Sequence, residues 1–466
     1  MASRRPGVDL LMIGLTWSIL LFHTCRVYTP AKFYYVFYPE HVEDTPANDD
    51  KYTIIPLDHL VLAFSNFLSC WNMPMFFFIS GSNVYFAFFR RTETQFRQER
   101  VHRLLVPALA FSLVTQIPLS FDYFAPLTPE CQDLYEGVNT TSNMPCNMNT
   151  NVLPFLRMFT KNTTFLSHLQ QNYKTLNVSQ TWFLWFLFVF SQLFAGIFRS
   201  LHPHHNKQEY KICFFLSSHS FTLHQFWSAV SRMFGDPYRL VLLPGLSIGI
   251  LQASSNVLPY FLLSSFPFLP YLAIFLLGYA VSASEDQEGM LTTIISNNRW
   301  IHLLLGSLCC VLHAFLQLFM DLKAPAENTI SLKVILGLSR GISQWLFILG
   351  VSSFARVTLL TPYTWIKPLR EMSLPFYLIH QQVLVSLLAG LLWIPKARSL
   401  PVVLTLATII TTIFSFLITK SGSFRYFFGL QPPKGSILPG KLMREFAPTI
   451  VLGLLVILQI IVANSI

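Results

Sequence analysis

The sequence predicts an all-α fold, a polytopic transmembrane helical bundle of about 10–11 spans, and three observations predict it. Of its 466 residues 53% are hydrophobic and only 12% charged, about half the charged fraction of an ordinary soluble domain. The apolar residues recur in runs along the whole chain, each long enough to cross a hydrocarbon core of about 30 Å as a helix. The 44 phenylalanines and 17 tyrosines suit lipid-facing surfaces and the aromatic belts at membrane interfaces.

Charge and proline cut the runs into spans near 9–27, 60–86, 104–121, 181–198, 239–254, 262–282, 300–320, 331–355, 374–394, 401–419 and 447–463. The fifth is the weakest, because Pro244 and several small residues interrupt it. Arg4 and Arg5 precede the first run as in a signal peptide, but no small-residue cleavage site follows, so the segment reads as a retained signal anchor. With the N-terminus in the cytosol, the cytosolic segments carry about twice as many Lys and Arg as the opposite ones, the asymmetry of positive-inside topology. That asymmetry also accounts for the net charge of +10. The basic residues lie between apolar spans rather than in one patch, which excludes nucleic acid as a partner.

By this topology the loop 122–180 lies outside, and it carries three glycosylation sequons, at Asn139, Asn162 and Asn177. Such sequons belong to surface loops of secreted or lumenal polypeptide. Cys131 and Cys146 share the loop; if they pair, the closed loop of about fifteen residues is worth roughly 3 kcal/mol. Cys25, Cys70, Cys213, Cys309 and Cys310 lie in or beside apolar runs as ordinary buried thiols. No cysteine spacing matches a metal site, so no metal is expected. The expectation is a multi-pass glycoprotein of a secretory-pathway or plasma membrane, with membrane lipid as its surroundings. Residues 216–238, with Phe221, Phe226, Trp227, Met233 and Phe234 among polar residues, suggest an interfacial amphipathic helix. No internal repeat is evident, which weakens an inverted-repeat transporter.

Ionisable groups inside spans are costly and mark cavities or bundle interiors. His23 closes the first span and Asp9 opens it. The second span contains Pro74 and ends at Ser80-Gly81, where a small pair admits a close neighbouring helix. Arg97-Gln-Glu-Arg100-Val-His-Arg103 follows, with Arg100 and Arg103 one helical turn apart. Such a pair suits a polyanion such as a nucleotide diphosphate, and equally serves as a positive-inside stop. Arg340 lies within the eighth span. Arg370-Glu371 and His380 stand at the start of the ninth, where the histidine could also do no more than bond locally.

In four segments the chain resembles the membrane acyltransferase-3 family, and within it the branch around glucan biosynthesis protein C, a glucan succinyltransferase. They are Asp9 to Tyr28 with His23; Met73 to Gly81 followed by Arg100, Arg103 and Pro107; Trp182-Phe-Leu184; and Ser373 to Gln381 with Tyr377 and His380. Arg340 with Trp345 falls where that branch has an arginine and a tryptophan. The resemblance implies an acyltransferase-3-like transmembrane domain over 1–420. Residues 421–466 follow as a cytosolic linker and an extra C-terminal span. It also implies an enzyme that takes an acyl group from cytosolic acyl-CoA, acetyl- or succinyl-CoA, and passes it to a hydroxyl acceptor, a carbohydrate, on the lumenal or extracellular side. His23 would then be the general base, Arg100 and Arg103 the acyl-CoA-binding pair, and Asp9, Ser80, Arg340, Glu371 and His380 supporting residues of the cavity. Neutral imidazole takes a hydroxyl proton near pH 7. In one place the chain departs from the pattern. The family has an arginine eleven residues before the histidine and three after the acid, and here that residue is Met12, which donates no hydrogen bond. The alternative reading is a catalytically impaired relative, or a transporter of lipid or a small molecule built on the same bundle.

Overall fold

The computed structural model describes residues 6–28, 57–88, 90–111, 181–201, 211–213, 220–222, 228, 232, 236–257, 268–288, 299–322, 330–358, 364–391, 399–421, 425 and 427–430. Among them the helices are, in chain order, α1 (Pro6–Val27), α2 (Leu57–Phe88), α3 (Glu93–Arg100), α4 (Trp182–Ser200), α5 (Pro237–Val257), α6 (Phe268–Glu288), α7 (Arg299–Leu322), α8 (Ile330–Thr358), α9 (Ile366–Leu391) and α10 (Leu400–Lys420). A π-helical turn, Val101–Leu105, follows α3 directly. Among the described residues the fold is all-α apart from one short antiparallel pairing, β1 (Lys211–Cys213) with β2 (Ser220–Thr222), which sets Ile212 opposite Phe221. That pairing corrects the helix expected from residue 216. Ser220-Phe221-Thr222 alternates polar and apolar residues with a period of two, the strand pattern, and Lys211-Ile212-Cys213 supplies the partner edge.

Six of these helices are long and apolar enough to cross a membrane: α1, α2, α4, α7, α8 and α10. Each coincides with an expected span. Helix α6 contributes only a shorter apolar stretch, Phe268–Ala283. Helix α5 is continuous through Pro244, and α9 begins eight residues before the expected 374, because Lys367, Arg370 and Glu371 extend it with polar turns. The expected span 104–121 is described only as far as 111, where it is helical. The span at 447–463, the three sequons and Cys131 with Cys146 lie outside the described residues.

The chain divides into two compact units, Met1–Phe22 with Pro56–His102 and Phe186–Ser373, and His23–Ile55 with Arg103–Trp185 and Leu374–Ile466. Within the first, α8 packs against both α5 and α7, while α2 packs against α6 and also meets α7 and α8. Small residues make these approaches possible, since without a solvent-driven hydrophobic effect between helices the backbones must come close. At the α2–α6 crossing the glycines are reciprocal. A Cβ on Gly81 would collide with the carbonyl of Phe275, and one on Gly278 with the carbonyl of Phe78. Trp345, fully buried on α8, donates its indole N–H to the Leu240 carbonyl of α5 at 2.7 Å. Helices α1 and α2 are joined by a polar contact, the Ser18 hydroxyl donating to Asn72 Oδ1 at 2.9 Å. Buried polar groups need such partners where no water competes.

Helix α3 is capped at Thr92, whose hydroxyl accepts from the Gln95 backbone N–H while the Gln95 side chain accepts from the Thr92 N–H, the reciprocal box that satisfies two orphan donors. Arg97 then fastens α3 to α4. It donates to the Gln192 carbonyl at 2.7 Å and pairs with Glu93 at 2.8 Å.

In the second unit the π turn is covered from the C-terminal side of α10. The Phe111 and Phe428 rings are 4.7 Å apart, and Gly429, at φ +66°, comes so close that a Cβ would meet the Arg103 carbonyl oxygen at 2.8 Å. Only glycine combines that positive φ with that approach.

Candidate functional site

Within the second unit, the last turn and a half of α1 meets α9. Tyr377, His380 and Gln381 are spaced i, i+3, i+4, which aligns them on one side of α9. Tyr377 and His380 are buried, Gln381 half-buried. The helix continues through Pro375, which has no N–H to give to the preceding turn. His23 of α1 is half-buried, and its ring centroid lies 5.1 Å from that of His380 at a tilt of 43°. Gln381 Nε2 lies 3.1 Å from His23 Nδ1 and 3.0 Å from His23 Nε2. An amide N–H is a donor, so it engages whichever imidazole nitrogen carries the lone pair.

His380 is held differently. Its Nδ1 is 2.6 Å from the Tyr377 carbonyl oxygen. A carbonyl only accepts, so Nδ1 carries the proton and the lone pair of the neutral ring sits on Nε2. That Nε2 is buried and has no hydrogen-bond partner among the described residues. A run of aromatic rings leads away from His380: Tyr377 lies 5.9 Å from His380 and 5.7 Å from Phe183 in the first turn of α4. The Trp182 ring is 6.3 Å from Phe183. The cluster is thus two imidazoles and one amide, with Tyr377 against His380, a set fitted to move a proton.

The first unit holds the polar start of α1. Asp9 is buried, and its carboxylate accepts from Arg370 Nη1 of α9 at 2.9 Å. Such a charge-assisted bond is among the stronger side-chain contacts. Arg370 is therefore the guanidinium that serves the beginning of α1, one turn from Met12. Met12 itself is half-buried and contributes a backbone carbonyl to the Thr16 hydroxyl. Arg340 is half-buried on α8. Its Nε has no hydrogen-bond partner among the described residues.

Of the arginines expected to bind a polyanion, Arg100 ends α3 and lies over the Phe96 ring, 4.7 Å from its centroid. Arg103 is exposed in the π turn. A five-residue π turn, Val101–Leu105, follows α3 where the sequence reading expected a continuous α-helix. Arg97 is committed to Glu93 and Gln192. Ser80 is half-buried within a packing stretch, with Gly81 at the α6 crossing and the Ser82 and Ser282 hydroxyls 2.6 Å apart. Glu371 is half-buried on α9 in the first unit. Among the described residues no group of three or more His, Cys, Asp or Glu is arranged to hold a metal.

Two members of these sites, Gln381 and Arg370, receive no role from the sequence. Their signal was present only as spacing: Gln381 adjoins His380, and Arg370 stands ten residues before it. A family model described as an acyltransferase domain matches residues 5–420 of the chain. No curated protein and no solved structure matches it.

Proposed function

The chain belongs to the acyltransferase-3 family and is an integral-membrane acyltransferase; on that premise we infer that its donor is acyl-CoA supplied from the cytosol and its acceptor a hydroxyl on the opposite side of the membrane. Acetyl- and succinyl-CoA are the donors favoured, and carbohydrate the acceptor class, following the resemblance of the four segments to the glucan biosynthesis protein C branch. The observation that carries the reading is the contact of His23 with Gln381 and His380. In this mechanism the acceptor's O–H displaces the Gln381 amide from the lone pair of His23. The imidazole takes the proton while the oxygen bonds to the thioester carbon. As the C–S bond breaks, the proton passes to the leaving thiolate, and coenzyme A departs as the thiol. Arg100 and Arg103 supply guanidinium groups suited to the phosphates of coenzyme A.

Met12 supports a second reading, a relative with weakened catalysis. A thioether stands where the family has a guanidinium, and the nearby Arg370 is already paired with Asp9.

The test is transfer in proteoliposomes, with labelled acetyl- or succinyl-CoA on one side and oligosaccharide acceptors enclosed on the other. The enzyme reading expects label in the enclosed carbohydrate and free coenzyme A outside. Intact acyl-CoA after prolonged incubation would instead support the impaired relative.

A further inference from the structure

We propose, building on the acyl-transfer reading, that His380 is a buried proton relay behind His23. The two rings lie 5.1 Å apart, and they differ in what fixes their protons. His380 has one tautomer only: Nδ1 is tied to the Tyr377 carbonyl, so Nε2 is a standing acceptor. His380 is 1% exposed, and that Nε2 meets no partner among the described residues. An unsatisfied acceptor in a buried site is destabilising, so for packing alone an aromatic hydrocarbon would serve better.

His23 is the complement. The Gln381 amide nitrogen is 3.1 and 3.0 Å from its two ring nitrogens, so the amide can follow the lone pair from one nitrogen to the other. A relay needs this property. In the forward step the acceptor O–H breaks and its proton joins one nitrogen of His23. The N–H on the opposite nitrogen of His23 breaks and its proton goes to one bridging water, which gives a proton to Nε2 of His380, since the two rings are not directly hydrogen-bonded. The acceptor oxygen bonds to the thioester carbon at the same time. His23 leaves the step neutral with its tautomer exchanged, and the positive charge rests on His380. When the C–S bond breaks, the protons retrace the path, and the thiolate sulfur takes one from His23. The balance closes with both histidines neutral. His380 acts through His23 and does not touch the substrate, so it is a positioning residue.

The experiment compares the full chain, reconstituted in lipid, as wild type and as His380→Asn, with acetyl-CoA as donor. Asparagine keeps an N–H near the position of Nδ1 for the Tyr377 carbonyl and removes the Nε2 lone pair. The relay predicts kcat lowered by about tenfold or more, with the KM for acetyl-CoA unchanged. A kcat within about twofold of wild type would show that His380 only secures the turn of α9, and would overturn the relay. If His380→Asn does not accumulate in the membrane, His380→Gln takes its place with the same two outcomes. A second readout is independent of turnover: the imidazole ¹⁵N shifts of histidine-labelled protein. The relay requires His380 protonated at Nδ1 and bare at Nε2; the opposite tautomer overturns it. A wild type that transfers no acyl group defeats the acyl-transfer reading, and the ¹⁵N shifts then decide the proton arrangement alone.

Discussion

At the scale of single residues, α1 carries its chemistry at its two ends, fourteen residues apart. Asp9 is buried and pairs with Arg370 at 2.9 Å. Removing one partner of a buried pair takes a strong charge-assisted bond from the other and usually costs more than the pair itself contributes. Arg370→Met is therefore expected to lower stability by about 2–3 kcal/mol, somewhat below the fully buried case because Arg370 is part-exposed. Thermal unfolding in detergent measures it, and an unchanged midpoint would mean that Asp9 finds another partner. Met12 gives the complementary prediction. One turn from Asp9, an arginine there restores a donor to the first span. A charge-assisted hydrogen bond is worth about 1.5 kcal/mol or more, or about tenfold in affinity. Met12→Arg is expected to raise transfer activity or tighten acyl-CoA binding by that order. If titration and turnover both stay as in the wild type, position 12 is not the site of the family's arginine.

At the scale of elements, the bundle is set by close backbone approaches. Gly81 and Gly278 each face a carbonyl of the opposite helix, so even a methyl group must push α2 and α6 apart. Gly81→Ala is expected to lose about 1–3 kcal/mol, the usual cost of overpacking. The double variant Gly81→Ala with Gly278→Ala should fall short of the summed loss, because the first displacement makes room for the second. Additive losses would mean that the two glycines do not share one crossing. Helix α3 illustrates a different division of labour. Three arginines stand within seven residues, and Arg97 is spent on Glu93 and Gln192. Arg100 closes α3 over the Phe96 ring, and Arg103 is exposed in the π turn that follows.

For the whole molecule, the spans were legible because their signal is length and hydropathy, which a single chain displays directly. Where the structure departs from the sequence reading, packing or backbone winding intervened. The start of α9 is polar, and Arg370 extends the helix because Asp9 of α1 waits for it, a partner 361 residues away in the chain. Ser220–Thr222 pairs as a strand because Lys211–Cys213 lies alongside. The π turn Val101–Leu105 follows Arg100 directly, and no residue-type pattern announces it. His23 and His380 were each conspicuous as histidines in apolar runs; that they share a site with Gln381 is a tertiary fact. Topology has its own check. Glycosidase treatment of the protein expressed in a eukaryotic secretory membrane is expected to increase its gel mobility through loss of glycans at Asn139, Asn162 and Asn177. An unshifted band would remove the sequons as support for placing the 122–180 loop outside.

The most direct measurement of the central claim is acyl transfer by His23→Ala beside the wild type, at matched membrane content and with bound acyl-CoA quantified in both. With the proposed general base removed, transfer is expected to fall on the order of 10²–10⁴-fold while acyl-CoA binding is retained. Wild-type transfer by His23→Ala would place the chemistry elsewhere and contradict the account.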